Sequence, residues 1–447
     1  MKISIEIGPL KKLFLYNIDK LLFLLLLIFI SANGLVISVG RDWTFPQLIT
    51  IAMIGFFVIR RLMPGKSEPF YIEKKIFFIV SFWLLILLIS NIFSPEKPYS
   101  PYPEESFFQS YDVVGYMYLF WNLLNLTMMV LVANYLKSKE KLFQGLRFLI
   151  FGSLFFSSFG LYQYLLASAL GESSSIINYA YNKEYLFYDY VVRLLSFSRE
   201  PLYYSVYVGP INIIVISIIL GKNYESIGIS KPLIFLTLFV NITALVLTKS
   251  TGGLIAFTVS LVVVFIIHFK YLLKNIKFTN ILLGIIVIVI FGFIIYQLVG
   301  FDIQRKLVRY LDPQSQYGRV VSVFEAIDLI KEYPFTGIGL GHAYYIVSIT
   351  QIHNAYLSLA AETGLFGLIL FVLFILSLYR ILVKIFNQTP YKGIVLGLGG
   401  AILAILVQWL SFYAYIIMFA WLLFGIVLSL PRSLKTPNYN IQPKLSE

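Results

Sequence analysis

The sequence predicts an all-α, polytopic membrane protein with about twelve transmembrane helices and two long extracytoplasmic loops that contain short helices. Three observations predict it. The 447-residue chain is 59% hydrophobic and only 13% charged, with a mean hydropathy of +0.83, more apolar surface than a soluble chain can hide. Apolar runs near the ~20 residues needed to cross a hydrocarbon core recur along its length. Lysine and arginine are spread unevenly over the connections, as the positive-inside rule requires.

The N-terminus MKISIEIGPLKKLFLYNIDK is basic and leads into LLFLLLLIFISANGLVISVG. No convincing small-residue cleavage site follows, so a retained first span is expected rather than a removed signal peptide. Spans are expected near 21–39, 45–60, 76–93, 113–135, 147–167, 206–220, 232–248, 253–268, 280–299, 359–380, 393–411 and 412–430. An even number puts both termini on one side. Of the 35 lysines and arginines, 24 fall in 1–20, 60–75, 136–147, 221–231, 269–279, 380–392 and 431–447, leaving 11 elsewhere, so that side is the cytoplasm. The chain therefore reads as a single integral membrane domain over 1–447, with extracytoplasmic loops at 168–205 and 300–358 forming the site and a cytoplasmic tail at 431–447. The end of that tail, SLKTPNYNIQPKLSE, is expected to be disordered.

Composition removes several function classes. With no cysteine there is no disulfide, thiol nucleophile, iron–sulfur cluster or cysteine zinc site. Three histidines, His268, His342 and His353, are too few for a histidine-rich metal centre. The net charge of +13 reflects cytoplasmic loops rather than a nucleic-acid partner.

Within the second loop, SQYGRVVSVFEAIDLIKEYP has apolar residues Val320, Val323, Phe324, Ile327 and Ile330 at helical spacing and Pro334 just past its end, so an amphipathic helix is expected. This loop also carries Arg305, Lys306, Arg309, Arg319 and Lys331, and the first carries Arg193 and Arg199. Cations kept outside against the topology rule point to a bound anion. Pairing with Asp302, Asp312, Glu325, Asp328 and Glu332 is the alternative. In RLLSFSREPLYYS, Arg193, Ser196, Ser198, Arg199, Glu200 and Tyr203 gather at the entrance of the sixth span. Arginine binds phosphate bidentately, and a phosphate-bearing ligand at an outer leaflet is most economically lipid-linked. An Arg199–Glu200 surface pair of little worth is the bland reading.

GIGLGH (337–342) is no dinucleotide fingerprint, because no strand precedes it. Its alternating glycines suit a tight backbone, for close approach to a ligand or for packing. His353, at the mouth of a span beside Asn354, is the candidate general base, since neutral imidazole accepts a proton near neutral pH. His268 fits an interfacial helix end, and His342 may be read as lining the glycine turn. Glu362 is expected to begin the tenth span, stabilised by the helix dipole. Aromatics in NYAYNKEYLFYDY and SPEKPYSPYPEESFFQSYD suit interfacial belts, with sugar stacking as the alternative.

The stretch PFTGIGLGH…IHNAYLSLAAETGLFGLILFVLF resembles the signature of the Wzy/WaaL-type family of bacterial O-antigen polymerases and ligases. Pro334, Gly337, Gly339, Gly341, His353, Asn354, Tyr356, Leu357, Glu362, Gly364 and Gly367 fit its pattern. GRVVSVFEAIDLIKEYP resembles the family's upstream helix with Arg319 in the arginine place, and RLLSFSREPLYYSVYV matches a further segment through Arg193, Glu200 and Pro201. TKSTGGLIAF resembles a serine-arginine-glycine turn but carries Thr251 where arginine is usual.

The resemblance implies a GT-C-like membrane glycosyltransferase of the bacterial inner membrane. It takes a glycan linked through pyrophosphate to undecaprenol, transfers it to a hydroxyl and releases undecaprenyl pyrophosphate. It implies inversion at the anomeric carbon, no metal and no cofactor. His353, Arg319 and Arg193 become the catalytic candidates. Arg199, Glu200, Asn354, Tyr356, Gly339 and Gly341 become the substrate-binding candidates. The expected partners are the lipid-linked glycan and the bilayer, with a chain-length regulator as a candidate and nucleic acid excluded. The expected activity is polymerisation of repeat units into O-antigen, capsule or exopolysaccharide. A ligase delivering glycan to lipid A–core or protein is the first alternative. A transporter or flippase of lipid-linked sugars is the second, disfavoured because the spans are nearly charge-free.

Overall fold

The computed structural model describes residues 9–39, 41–62, 71–95, 110–170, 192–272, 313–347, 351–413, 415 and 417–434. Several expectations lie outside those residues: the span at 280–299, the charged residues Asp302, Arg305, Lys306, Arg309 and Asp312, and the aromatic stretches at 178–190 and 96–109. So do the tail beyond 434 and the side chain of Arg319.

The described residues form thirteen helices and one short hairpin. In chain order they are α1 (Pro9–Phe29), β1 (Val36–Val39), β2 (Arg41–Thr44), α2 (Phe45–Leu62), α3 (Lys74–Ile92), α4 (Tyr111–Tyr135) and α5 (Lys139–Leu170). There follow α6 (Pro201–Leu220), α7 (Lys231–Leu247), α8 (Thr251–Leu272), α9 (Pro313–Glu332), α10 (Ala343–Ile346), α11 (Ala355–Gln388), α12 (Lys392–Gln408) and α13 (Met418–Ser433). Seven of them, α2 to α6, α8 and α11, are long and apolar enough to cross a membrane; α7, α12 and α13 are shorter apolar helices. The chain is an all-α polytopic membrane protein.

The first span differs from expectation. It ends at Phe29, and the second half of the expected 21–39 run is a turn and an antiparallel hairpin that pairs Val36 with Thr44 and Ser38 with Asp42. The physical reason is the Ser31-Ala32-Asn33-Gly34 break, after which VISV and RDWT suit strands better than a helix. The last two spans do not abut: residues 409–417 separate α12 from α13.

Packing relies on small residues, as expected where lipid leaves no hydrophobic drive between helices. A Cβ on Gly400 of α12 would meet Val264 of α8 at 2.5 Å and Ile213 of α6 at 2.7 Å. Asn241 of α7 donates to Ser153 Oγ of α5 at 2.8 Å, and the Ser157 and Tyr204 hydroxyls lie 2.7 Å apart. Trp83, Phe374 and Trp421 form an aromatic seam between α3, α11 and α13, with ring centroids of 5.5 Å and 5.9 Å from Trp421.

The helix α9 forms as expected, but its buried face is not the expected one. Val320 and Phe324 are exposed, whereas Ser322, Ala326 and Leu329 are buried. The small Ser322 and Ala326 let the helix settle against Ile338, Ala343, Val347 and Ala361, which larger residues would hold off.

The connections sort into two ends. At one lie Arg60, paired with Asp19 at 3.3 Å, Asn134 bonded to Tyr71, Lys139 over the Tyr391 ring, and Arg432, which donates to the Ala133 carbonyl. At the other lie the hairpin, 192–200, 248–250, 334–347, 351–354, 409–413 and 415.

Candidate active site

The second end contains two constructions. The first is the glycine turn. Ile338 N donates to Ala361 O at 2.9 Å, Gly339 N to Glu362 O at 3.0 Å, and Leu365 N to Pro334 O at 2.8 Å. The Pro-Gly-Gly-Gly and Glu-Thr-Gly parts of the sequence pattern are therefore two faces of one joint. Gly337 and Gly364 both have left-handed backbones, at φ +67° and +69°, and a Cβ on either would run into backbone of the other segment. Gly364 breaks α11 into two helical pieces.

The end of α3 completes the joint. Ser90 Oγ donates to the Glu362 carbonyl and accepts from Gly339 N, and Asn91 Oδ1 accepts from Leu340 N at 2.8 Å. Glu362 is only 5% exposed, and its carboxylate accepts from the Tyr415 hydroxyl at 3.1 Å and from the Gly341 N–H. The span begins at Ala355, so Glu362 is not at its first turn as expected. The carboxylate bonds across segments because Gly341 and Tyr415 supply the donors there.

His342 belongs to this joint. Its Nε2 lies 2.9 Å from the Tyr111 carbonyl, which can only accept, so Nε2 carries hydrogen; Nδ1 faces Ser94 Oγ at 3.2 Å. Burial holds its imidazole below the ordinary value, against the opposing pull of those backbone carbonyls and Asp112.

The second construction is a partly open mouth around His353. Asn354 caps α11: its Oδ1 accepts from Tyr356 N and Leu357 N, each at 3.0 Å, and its Nδ2 donates to Leu410 O at 3.0 Å. Ala355 N donates to Trp409 O at 3.0 Å and the Tyr356 hydroxyl to Leu406 O at 2.8 Å. The chain around His353 is thus fastened to the end of α12. The His353 ring meets Tyr413 edge to face, with centroids 6.5 Å apart, and the Tyr413 hydroxyl lies 3.0 Å from that of Tyr203. The charges of Glu200 and Arg199 act on the Tyr413 phenol.

Arg199 is set by the first turn. Its backbone N donates to Asn33 Oδ1 at 2.9 Å, its Nε to Asn33 O at 3.2 Å, and its Nη2 lies 3.8 Å from Asp42 of the hairpin. Gly34 allows this approach, because a Cβ there would meet the Phe197 carbonyl at 2.6 Å. Arg193 stands on the other side of the same segment and donates from Nε to Thr248 O at 3.1 Å.

A series of hydrogen bonds runs from Thr248, which Arg193 contacts, to Gln408 at the end of α12. Thr248 Oγ1 accepts from Ser250 N, Ser250 Oγ from Ser205 Oγ at 3.1 Å, and Ser205 Oγ from Gln408 Nε2 at 2.7 Å; Gln408 precedes the Trp409 that anchors Ala355. The structure therefore sets the His353 ring against Tyr413, on whose phenol the charges of Arg199 and Glu200 act, and ties Arg193 to the same end. Gly339 and Gly341 are buried in the joint, and Arg319 lies on α9.

Sequence reasoning missed Tyr413, Gln351, Gln408 and Tyr415. The signal was available only as a lone amide and clustered tyrosines in QWLSFYAY, inside otherwise apolar sequence.

No curated protein matches the chain. Residues 236–372 match the family model Wzy_C, described as O-antigen ligase, a segment that contains the glycine turn, His353, Asn354 and Glu362. Over that segment the chain is similar to the Wzy/WaaL-type family, which supports a role as a membrane glycan ligase or polymerase.

Proposed function

We propose that the chain is an inverting, metal-independent glycosyltransferase that polymerises undecaprenyl-pyrophosphate-linked oligosaccharide repeat units at the outer face of the bacterial inner membrane, with both termini cytoplasmic. The observation that carries this reading is the edge-to-face contact of His353 with Tyr413, a phenol on which the charges of Arg199 and Glu200 act, at the bundle end to which Arg193 is also tied.

The attacking hydroxyl of one unit gives its proton to His353 while its oxygen forms the new glycosidic bond. The anomeric carbon–oxygen bond to the diphosphate breaks, and the lipid diphosphate leaves with the electron pair. Arg193, Arg199 and Arg319 stabilise the charge that develops on it, a contribution often larger than any other in such a site. Asn354 and Tyr356 serve by holding the His353 backbone, and Gly339 and Gly341 by shaping the wall behind it. Transfer to lipid A–core is the second reading, favoured by the description of the matching family.

A reconstituted reaction with defined undecaprenyl-pyrophosphate repeat units tests both. A product ladder supports the polymerase; a single transfer that needs added lipid A–core supports the ligase. His353→Ala should lower either by at least ~100-fold, the usual contribution of a general base. Normal transfer by that variant rules the mechanism out. Because the chain has no cysteine, orientation is read by single substitutions. Ile37→Cys should react with an impermeant maleimide on intact cells, and Ser226→Cys only after permeabilisation. The reverse pattern inverts the topology.

A further inference from the structure

We propose that Tyr413, with Tyr203, Gln351 and Glu200, forms the subsite for the neutral sugar of the acceptor, edge-on to the His353 imidazole. This rests on the glycosyl-transfer reading above and deepens it by separating the acceptor from the donor.

Four observations converge on one place. The Tyr203 and Tyr413 hydroxyls lie 3.0 Å apart. The Tyr413 ring stands at 80° to the His353 ring with centroids 6.5 Å apart. The Gln351 side chain and the Glu200 carboxylate both act on the Tyr413 phenol. Tyr203 in turn packs edge to face on Phe412 at 4.9 Å, so both phenols are braced from the rear. All four proposed residues are partly open, whereas Tyr204, Tyr207 and Tyr415 on the same helix and loop are buried.

The chemistry of the set selects the ligand. Two phenols, an amide and a carboxylate offer donors and acceptors for sugar hydroxyls, and the aromatic faces suit the apolar C–H faces of a pyranose. Burial pushes the Tyr413 phenol up, so it stays a neutral donor. The Glu200 carboxylate repels a diphosphate, which the arginines accommodate instead. The general base must lie within hydrogen-bond reach of the proton it takes. A hydroxyl placed on the His353 imidazole therefore belongs to a sugar that also meets Tyr413. Tyr413 lies beyond the residues 236–372 that match the family, so nothing in that match assigns it a role.

The test uses full-length protein in liposomes with two separable substrates: an undecaprenyl-pyrophosphate repeat unit blocked at its accepting hydroxyl, and the same oligosaccharide as an alkyl glycoside acceptor. Tyr413→Ala should raise the acceptor KM tenfold or more and leave the donor KM within twofold. Tyr413→Phe, which keeps the ring, should raise it about two- to tenfold, the worth of one hydrogen bond. An unchanged acceptor KM, or a donor KM that rises as much, overturns the subsite. If Tyr413→Ala does not accumulate in the membrane, Tyr413→Phe and Gln351→Ala make the same comparison. His353→Ala is run alongside. Full transfer by that variant sinks the glycosyl-transfer reading itself, whereas its inactivity with an unmoved acceptor KM in the Tyr413 variants sinks the subsite alone.

Discussion

At one end of the bundle, two histidines sit in opposite settings. His342 is 4% exposed, has both ring nitrogens facing polar partners in the glycine joint, and has its charged form disfavoured by burial. His353 is partly open and touches the ring of Tyr413, a phenol on which the charges of Arg199 and Glu200 act. The joint that surrounds His342 is made of left-handed glycines and buried amides; the mouth around His353 is made of side chains that reach solvent. The difference teaches where a family-like pattern is structural and where it is chemical, although both histidines lie within the matched segment. Glu362 marks the border. It takes hydrogen bonds from the joint through Gly341 and from the loop that carries Tyr413 through Tyr415.

The contrast is broken most severely by adding a methyl group to the joint. Gly364→Ala places a Cβ against the Phe335 carbonyl at φ +69° and ψ 174°, a region essentially reserved for glycine that costs an L-residue about 1–3 kcal/mol before any clash. We expect loss of folded protein from the membrane, read by detergent extraction and size-exclusion chromatography. Gly399→Ala, where the nearest atom to the new Cβ is a side-chain carbon at 3.6 Å, should remain folded. Equal yields of the two variants would mean the joint does not hold the fold.

Exchanging the loss between the histidines comes next. His342→Ala removes the ring's hydrogen bond to the Tyr111 carbonyl, worth about 0.5–1.5 kcal/mol, while the Ser94 hydroxyl keeps its bond to Ile338 O at 2.9 Å. Its thermal midpoint should fall, with residual transfer in proportion to folded protein. His353→Ala should do the opposite and keep the midpoint while losing transfer. Similar midpoints for both variants would erase the distinction.

Glu362 separates shape from charge. Glu362→Ala orphans the Tyr415 hydroxyl and the Gly341 N–H and should lower the midpoint strongly. Glu362→Gln keeps an acceptor oxygen for both and should cost less than about 1 kcal/mol on the scale of a neutral hydrogen bond. A glutamine variant as unstable as the alanine variant would show that the joint needs the carboxylate itself.

How much of this was readable from the chain depends on the range of each interaction. The described spans were legible because crossing a bilayer demands a continuous apolar run, a local property. The hairpin was not, since Leu35 to Val39 are as apolar as a helix end and only the Asn33–Arg199 contact shows where the chain turns. The face of α9 was misjudged because periodicity favours large side chains, and here packing selected small ones. His353, Asn354 and the glycines were legible through their spacing. Tyr413 and Gln408 were not, because their partners Tyr203 and Ser205 lie about two hundred residues earlier.

The smallest expected effect is the pH response of the joint. The folded pKa of His342 lies below its ordinary 6.5, so between those two values the unfolded chain binds more protons than the folded one. Stability contributed by the neutral ring is therefore fully present above about pH 6.5 and declines as pH falls through that window, at no more than about 1.4 kcal/mol per pH unit for one site. Thermal midpoints taken in detergent from pH 7.5 down to 5.0 should drop in the native protein, and less in His342→Gln, whose amide has no proton to gain. The carboxylate of Asp112 favours the charged ring and narrows the window, so Asp112→Asn should steepen the native decline. An identical slope in the native and His342→Gln proteins would assign the acid sensitivity to other groups and leave the two histidines distinguished by geometry alone.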